Sequence, residues 1–306
     1  MSTFSASGNS LAKVRTKKKT EPLTYLFYAI IVLVVLLCFI PFWIIVIGSF
    51  SDEGDILTKG YAMWPEHFST DAYKLVFQAP VKIIQAYKIS FIITIAGTVV
   101  SLFFSSMAAY VLMRKDFKYR NLMAMLLYFP SIFSGGMLPT YLLVVKYLGL
   151  KDSILALILP GLISSWNIFL LRNFMSDIPD SIMESAKLDG ANDFIIFARL
   201  YLPLSKAGLA TIGLFTALGY WNNWSNAMLY INKTELYPLQ YLLYSMLSNA
   251  QGAREMAAAS GIVMPRLPGE TYKMAMAIVV TGPILLLYPF VQRYFVKGIT
   301  VGAVKG

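Results

Sequence analysis

The sequence is short of nearly every side chain that enzymes use for covalent or metal chemistry. It has one cysteine, Cys38, and one histidine, His67, in 306 residues. A lone cysteine excludes an internal disulfide framework and a Cys-ligated metal. A lone histidine excludes the His pairs and Ser/His/Asp sets of zinc and nucleophilic catalysis. Charge is scarce too, at 14% of residues against 57% hydrophobic, and mean hydropathy reaches +0.62, which excludes an ordinary water-soluble domain. No G-x-x-x-x-G-K-[ST] run occurs, so the chain has no phosphate cradle of its own. It reads as a non-enzyme that calls for no cofactor and no metal.

What is abundant is apolar length. Crossing roughly 30 Å of hydrocarbon at about 1.5 Å per residue takes about 20 helical residues. Six windows without formal charge are long enough: Leu23 to Ile47, Ile89 to Met113, Asn121 to Val145, Ser153 to Leu171, Ala207 to Tyr230 and Met274 to Gln292. Hydrocarbon cannot solvate unpaired amides, so each window predicts a helix with its backbone bonds closed internally. The fold class is therefore all-α: a polytopic membrane protein with six transmembrane helices and both termini on one side. None of the six windows holds a carboxylate or a basic group, which disfavours a gradient-driven secondary transporter, the main alternative, and an intramembrane enzyme.

Orientation follows from the basic residues. Lys13, Arg15, Lys17, Lys18 and Lys19 precede the first window, Arg114, Lys115, Lys118 and Arg120 follow the second, and Arg172, Lys187, Arg199 and Lys206 follow the fourth. That face predicts the cytoplasm. The net charge of +10 then reads as cytoplasmic anchoring beside lipid and not as nucleic-acid binding. Residues 1–20 predict a basic disordered tail, with the six-helix transmembrane domain over 21–306. The first apolar run is roughly twice the length of a signal-peptide core, and no A-x-A site follows it, so it reads as a retained span in the plasma membrane.

Three connections are long, and long loops in compact proteins tend to carry function. Two face outward, about 48–84 and 231–273; in the second, the pattern predicts a surface helix around Gln240 to Ser260. His67 reads as an ordinary exposed residue of the first. The third, about 176–206, is the most informative. Ser181 and Glu184 form an S-x-x-E capping box after Pro179, which predicts a helix start. Gly190 stands where that helix must end, and Asn192 suits the cap of a second. The expected result is two short helices meeting at a glycine. Ile182, Met183, Ala186, Phe194, Ile195 and Phe197 would give that elbow an exposed apolar side in need of a partner.

The run Glu184-Ser185-Ala186, then Asp189-Gly190-Ala191, then Leu202-Pro203 resembles the EAA loop of ABC-importer permeases. The chain is similar to the carbohydrate-uptake branch, in the MalG- and LplC-type subgroup. Supporting runs are Ile47-Gly48-Ser49-Phe50, Trp64-Pro65, Trp221-Asn222 and the closing segment from Phe295 to Gly306. Ser185 replaces the middle alanine, and Ala207 stands where many relatives have proline. The resemblance implies a coupling helix that docks on a separate ATPase subunit. It also implies a second homologous permease, two ABC ATPase subunits, an extracytoplasmic solute-binding protein and a carbohydrate substrate, expected to be an oligosaccharide.

One further cluster stands out. Trp221-Asn222-Asn223-Trp224-Ser225-Asn226 closes the fifth window. Amides beside aromatic faces suit a sugar, which offers hydroxyls at its edge and C–H groups on its flat side. Asn222 and Asn226 lie one helical turn apart if the helix continues. Interfacial anchoring by the tryptophans and interhelical hydrogen bonding are the rival roles. Trp221, Asn222 and Asn226 are the pathway candidates, with Trp166 and Asn167 behind them.

Overall fold

The computed structural model describes residues 22–78, 80–260 and 269–285. The basic tail, the stretch with Pro265 and Pro268, and the closing Phe295 to Gly306 segment lie outside them. Helix α1 (Pro22–Ser49) is apolar on every side, and its most apolar stretch is wholly unburied within the chain, as suits a helix facing hydrocarbon or a partner. Near its end it meets the connection that follows, where Trp43 Nε1 donates to Met63 O at 3.0 Å. Gly48 also lies there against the Met274 thioether, which a larger residue would have to displace. Two short helices, α2 (Glu53–Lys59) and α3 (Asp71–Val76), fill the connection that follows.

Helix α4 (Pro80–Met113) is the axis of the fold. Its buried residues Ile89, Ile93, Gly97, Ser101, Ser105 and Ala109 recur every fourth position, one stripe along a helix of about 3.6 residues per turn. The small members of that stripe let neighbouring backbones come close. A Cβ on Gly97, for instance, would lie 2.6 Å from the Tyr220 ring.

The expectation of one unbroken helix per window fails at the third, fourth and fifth windows. In the third, α5 (Arg120–Ile132) and α6 (Met137–Leu142), which runs on through a π turn to Tyr147, meet at 112°. Gly136 at φ +86° makes that corner. In the fourth, α7 (Ile154–Ile158) and its 3₁₀ extension to Gly161 meet α8 (Ser165–Ser176) at 54°. Pro160 lacks the N–H needed to continue α7. Two helices form the elbow, α9 (Asp180–Leu188) and α10 (Asp193–Ile196). After it come a π turn at Phe197–Tyr201 and α11 (Leu202–Leu204). An 81° bend at Ser205 then leads into α12 (Lys206–Trp221). The fifth window ends its helix at Trp221 and resumes as α13 (Ser225–Tyr230).

Helix α14 (Leu239–Ser260) matches the outer helix expected from the sequence, and α15 spans 270–285, so the end of the sixth window lies outside the described residues. Among the described residues two helices are long and apolar enough to cross a membrane alone, and up to five crossings result if each bent pair counts as one. Among the described residues there is no strand, only an isolated bridge between Ser51 and Phe68. Three buried clusters line up along α4: one around Tyr110, Phe197 and Tyr201 at the elbow, one around Ile93, Leu157 and Tyr220, and one around Ile83, Trp221 and Met276.

Candidate functional site

The elbow is built largely from local backbone chemistry. Helix α9 ends in a Schellman motif: the Ala191 N–H donates to Ala186 O at 2.9 Å and the Gly190 N–H to Lys187 O at 3.0 Å. That closure needs a left-handed residue, and Gly190 supplies it at φ +81°. Asn192 caps α10, its Oδ1 accepting from Ile195 N at 2.9 Å, as its sequence position predicts.

The capping box does not form. Helix α9 starts two residues earlier than a Ser181 cap requires, at Asp180 with Pro179 in the N-cap position, and no side chain caps it. Asp180 places its charge in the first turn, where the helix dipole favours it, and it also pairs with Lys115. Ser181 and Glu184 are therefore exposed residues on the helix.

The apolar residues of the elbow divide between two sides. Met183, Ala186 and Ala191 pack against the buried cluster, and Phe197 is itself 4% exposed inside it, a correction to its expected place on the open side. Leu188 at 89%, Phe194 at 64% and Ile195 at 37% exposed form the outward surface. Leu188 was missed by the sequence pattern because its direction depends on where α9 stops. Ser185, Asp189 and Gly190 are exposed beside it. Leu202 packs on the cluster, and Pro203 sits in α11 just before the 81° bend.

Ion pairs tie the elbow to the turn after α4. The Arg114 guanidinium donates from Nε and Nη2 to Asp116, at 2.9 and 2.5 Å, and its Nη1 lies 2.6 Å from Asp193 Oδ1. Lys187 Nζ donates to Asp116 at 3.1 Å, and Lys115 Nζ to Asp180 at 2.8 Å. The Arg114 hydrogen bonds hold the Asp116 carboxyl well below the usual carboxylate range; burial opposes them, and the Lys187 hydrogen bond adds to them. Because that pKa is lowered by folding, the pair's contribution is present above the ordinary aspartate value and is lost only as pH falls through the depressed one.

The fifth-window cluster is split by the break after Trp221. Trp221 is 4% exposed and packs edge-on to Phe91 at 5.3 Å between centroids, so it belongs to a packed core. Asn222 caps the end of α12, its Oδ1 accepting from Gln240 Nε2 at 3.1 Å. Asn226 lies in α13, so the two asparagines are not successive turns of one helix. Trp166 is 73% exposed on α8, and Trp224 stacks on Tyr244.

Two breaks instead meet around an open cleft of about 250 Å³, lined by Gly161, Asn167, Phe215, Thr216, Tyr220 and Asn223 among others. The 3₁₀ turn sends the Leu162 N–H to Leu159 O, which frees Ile158 O. The buried Tyr220 hydroxyl donates to that carbonyl at 2.9 Å. Asn167 Nδ2 donates to Thr216 Oγ1 at 3.2 Å, and Asn223 Oδ1 accepts from Asn226 N and Ser225 Oγ. Asn167 Oδ1 and Asn223 Nδ2 keep hydrogen-bonding capacity at the cleft. Thr216, Tyr220 and Asn223 were not singled out individually in the sequence, since only the meeting of two broken helices brings them together.

The connection after α1 is also tied to the start of α15. Glu53 on α2 accepts from the Glu270 and Thr271 amides at 2.8 and 3.0 Å and from Thr271 Oγ1 at 2.6 Å. Its carboxylate thus caps α15 from 217 residues away in sequence. His67 pairs with Asp55 at 2.9 Å, and Lys59 with Glu66, in the connection after α1.

Comparison with known proteins decides the family. Residues 83–301 match the family described as binding-protein-dependent transport system inner membrane component. The chain belongs to that family. It is 42% identical over 281 residues to the polygalacturonan/rhamnogalacturonan transport system permease protein YtcP of Bacillus subtilis, covering 92% of this chain and 97% of YtcP. It is 41% identical over 269 residues to LplC of the same organism, covering 87% and 89%. The fold matches a crystal structure of a bacterial ABC transporter involved in the import of the acidic polysaccharide alginate. That match has a TM-score of 0.76 at 28% identity and covers 90% of this chain and 98% of the other. The chain is accordingly a permease component of an ABC transport system, in the non-enzymatic membrane part, and not a gradient-driven secondary transporter.

Proposed function

We propose that this chain forms one half of the membrane pathway of an ATP-driven importer for an oligosaccharide. A second, homologous permease completes the pathway, two ABC ATPase subunits bind on the cytoplasmic side, and an extracytoplasmic solute-binding protein delivers the sugar outside. The chain crosses the plasma membrane six times with both termini in the cytoplasm. The elbow of Glu184, Ser185, Ala186, Asp189, Gly190, Ala191, Leu202 and Pro203 is the coupling site, and ATP is hydrolysed in the partner subunits.

The observation that carries this reading is the exposed apolar surface of Leu188, Phe194 and Ile195 on an elbow whose backbone is fixed by Gly190 and Asn192. A rigid apolar projection of this kind needs a partner, and in an ABC permease the partner is the ATPase. The sugar class is supported by the relatives named for polygalacturonan, rhamnogalacturonan and arabinooligosaccharides.

Within the membrane the polar cleft is a better pathway candidate than Trp221, Asn222 and Asn226, which do not line it. Broken helices are tolerated at membrane depth where they line a water-filled cavity. A free amide oxygen on Asn167 and a free amide N–H on Asn223 match the acceptor-and-donor character of sugar hydroxyls. Replacing Asn167 and Asn223 by Leu leaves assembly with the ATPase intact and lowers ATP-driven uptake of oligogalacturonide or arabinotriose into proteoliposomes at least 10-fold, the size expected from losing hydrogen bonds at about 1.4 kcal/mol per decade. Unchanged uptake kinetics would remove the cleft from the pathway.

A further inference from the structure

The elbow is held by more than its two chain connections. Three consecutive residues after α4, Arg114, Lys115 and Asp116, pair with Asp193 at the start of α10, Asp180 at the start of α9 and Lys187 near its end. Both helices of the elbow are thus fastened to one turn.

An isolated exposed ion pair would hold little. This one is a network. The Arg114 side chain is only 16% exposed, it grips Asp116 through two nitrogens and reaches Asp193 with a third, and Asp116 is shared with Lys187. A planar guanidinium used this way fixes geometry as well as distance. Behind it, Tyr110 on α4 packs against Phe197 and Tyr201 at centroid distances of 5.4 and 5.1 Å.

Three routes lead from the elbow into the membrane, the shortest being α8, which joins α9 through residues 177–179. The route through α12 passes the 81° bend at Ser205, whereas α4 runs unbroken for 34 residues from the clamp. We propose that the Arg114–Asp116–Lys187–Asp193 clamp makes the elbow and α4 one rigid lever, so that a push on the elbow moves α4 directly and is not absorbed at the Ser205 bend. These four are positioning residues for transport; none touches the sugar. The proposal rests on the reading of the elbow as the ATPase docking site. Helices α8 and α12 pack along α4, so its motion reaches both walls of the polar cleft.

The test uses the whole transporter in lipid nanodiscs, with Cys38→Ser and spin labels at Ile95→Cys on α4 and Ser181→Cys on α9. With native charges, pulsed electron resonance gives one narrow distance that agrees within about 2 Å between the nucleotide-free and ATP-vanadate states, the scale of small helix shifts. Asp116→Lys places three cations together, and the distance broadens and differs between states. Where that variant does not assemble, Asp116→Asn, of nearly unchanged shape, removes the carboxylate that Arg114 and Lys187 share and gives the same comparison. Reversing all four charges (Arg114→Asp, Asp116→Lys, Lys187→Asp and Asp193→Arg) exchanges the sign of every pair and restores the narrow distance. If these charges only complement helix dipoles, the fourfold reversal is the worst variant.

A native distance that shifts between states overturns the lever. So does Asp116→Lys or Asp116→Asn as narrow as native, or a fourfold reversal as broad as the single variant. Loss of the ATPase from the native complex on purification would count against the docking reading instead, and the nucleotide-free distances still decide the clamp.

Discussion

Gly190 illustrates how much a single backbone demand can settle. Its φ of +81° closes the Schellman motif and sets the angle between α9 and α10, and a Cβ at this position would meet nothing within 4 Å. The constraint is conformational, not steric. Gly190→Val forces a β-branched residue into the left-handed region at a local cost of about 1–3 kcal/mol. We expect the variant to insert in the membrane at native levels and to lose the ATPase on purification; retention of the ATPase with native uptake would contradict the elbow's role. Gly190 and Asn192 were legible in the sequence because both act within a few residues of themselves. Trp221 was not, because its burial against Phe91 depends on how α12 lies on α4. Nor was the start of α9, where an acidic first turn and a distant lysine favoured Asp180 over the Ser181 box.

The apolar windows were legible at the scale of elements, and the bends within them were not. Counting charge-free length registers Pro160 and Gly161 as two more apolar residues, yet they turn the fourth window by 54°. The freed carbonyl is tolerable only because Tyr220 reaches it from another helix, a contact that no local pattern contains. The cap of α15 by Glu53 is non-local in the same way. A Cβ on Gly269 would lie 1.4 Å from Glu53 Oε1, so the glycine leaves room for the carboxylate. Glu53→Gln weakens a charge-assisted cap at a helix N-terminus, an effect of about 0.5–2 kcal/mol. The expected outcome is a lower thermal midpoint for the purified transporter with the ATPase still bound, and an unchanged midpoint would show that the cap contributes nothing to stability.

Considered as a whole molecule, the chain leaves several of its faces uncovered. Helix α1 exposes its apolar length, the elbow presents Leu188 and Phe194 to a surface it does not itself contain, and the polar cleft is open on one side. These unfinished faces agree with the family match over residues 83–301. The shortage of histidine, cysteine and membrane-embedded charge pointed away from catalysis and gradient coupling, and the elbow motif pointed to the family. The measurement that tests the central claim most directly is purification of this chain from its own membranes in mild detergent, with mass-spectrometric identification of what accompanies it. The account predicts an ABC ATPase and a second permease in defined ratio. A chain that purifies alone, or only with copies of itself, would contradict it.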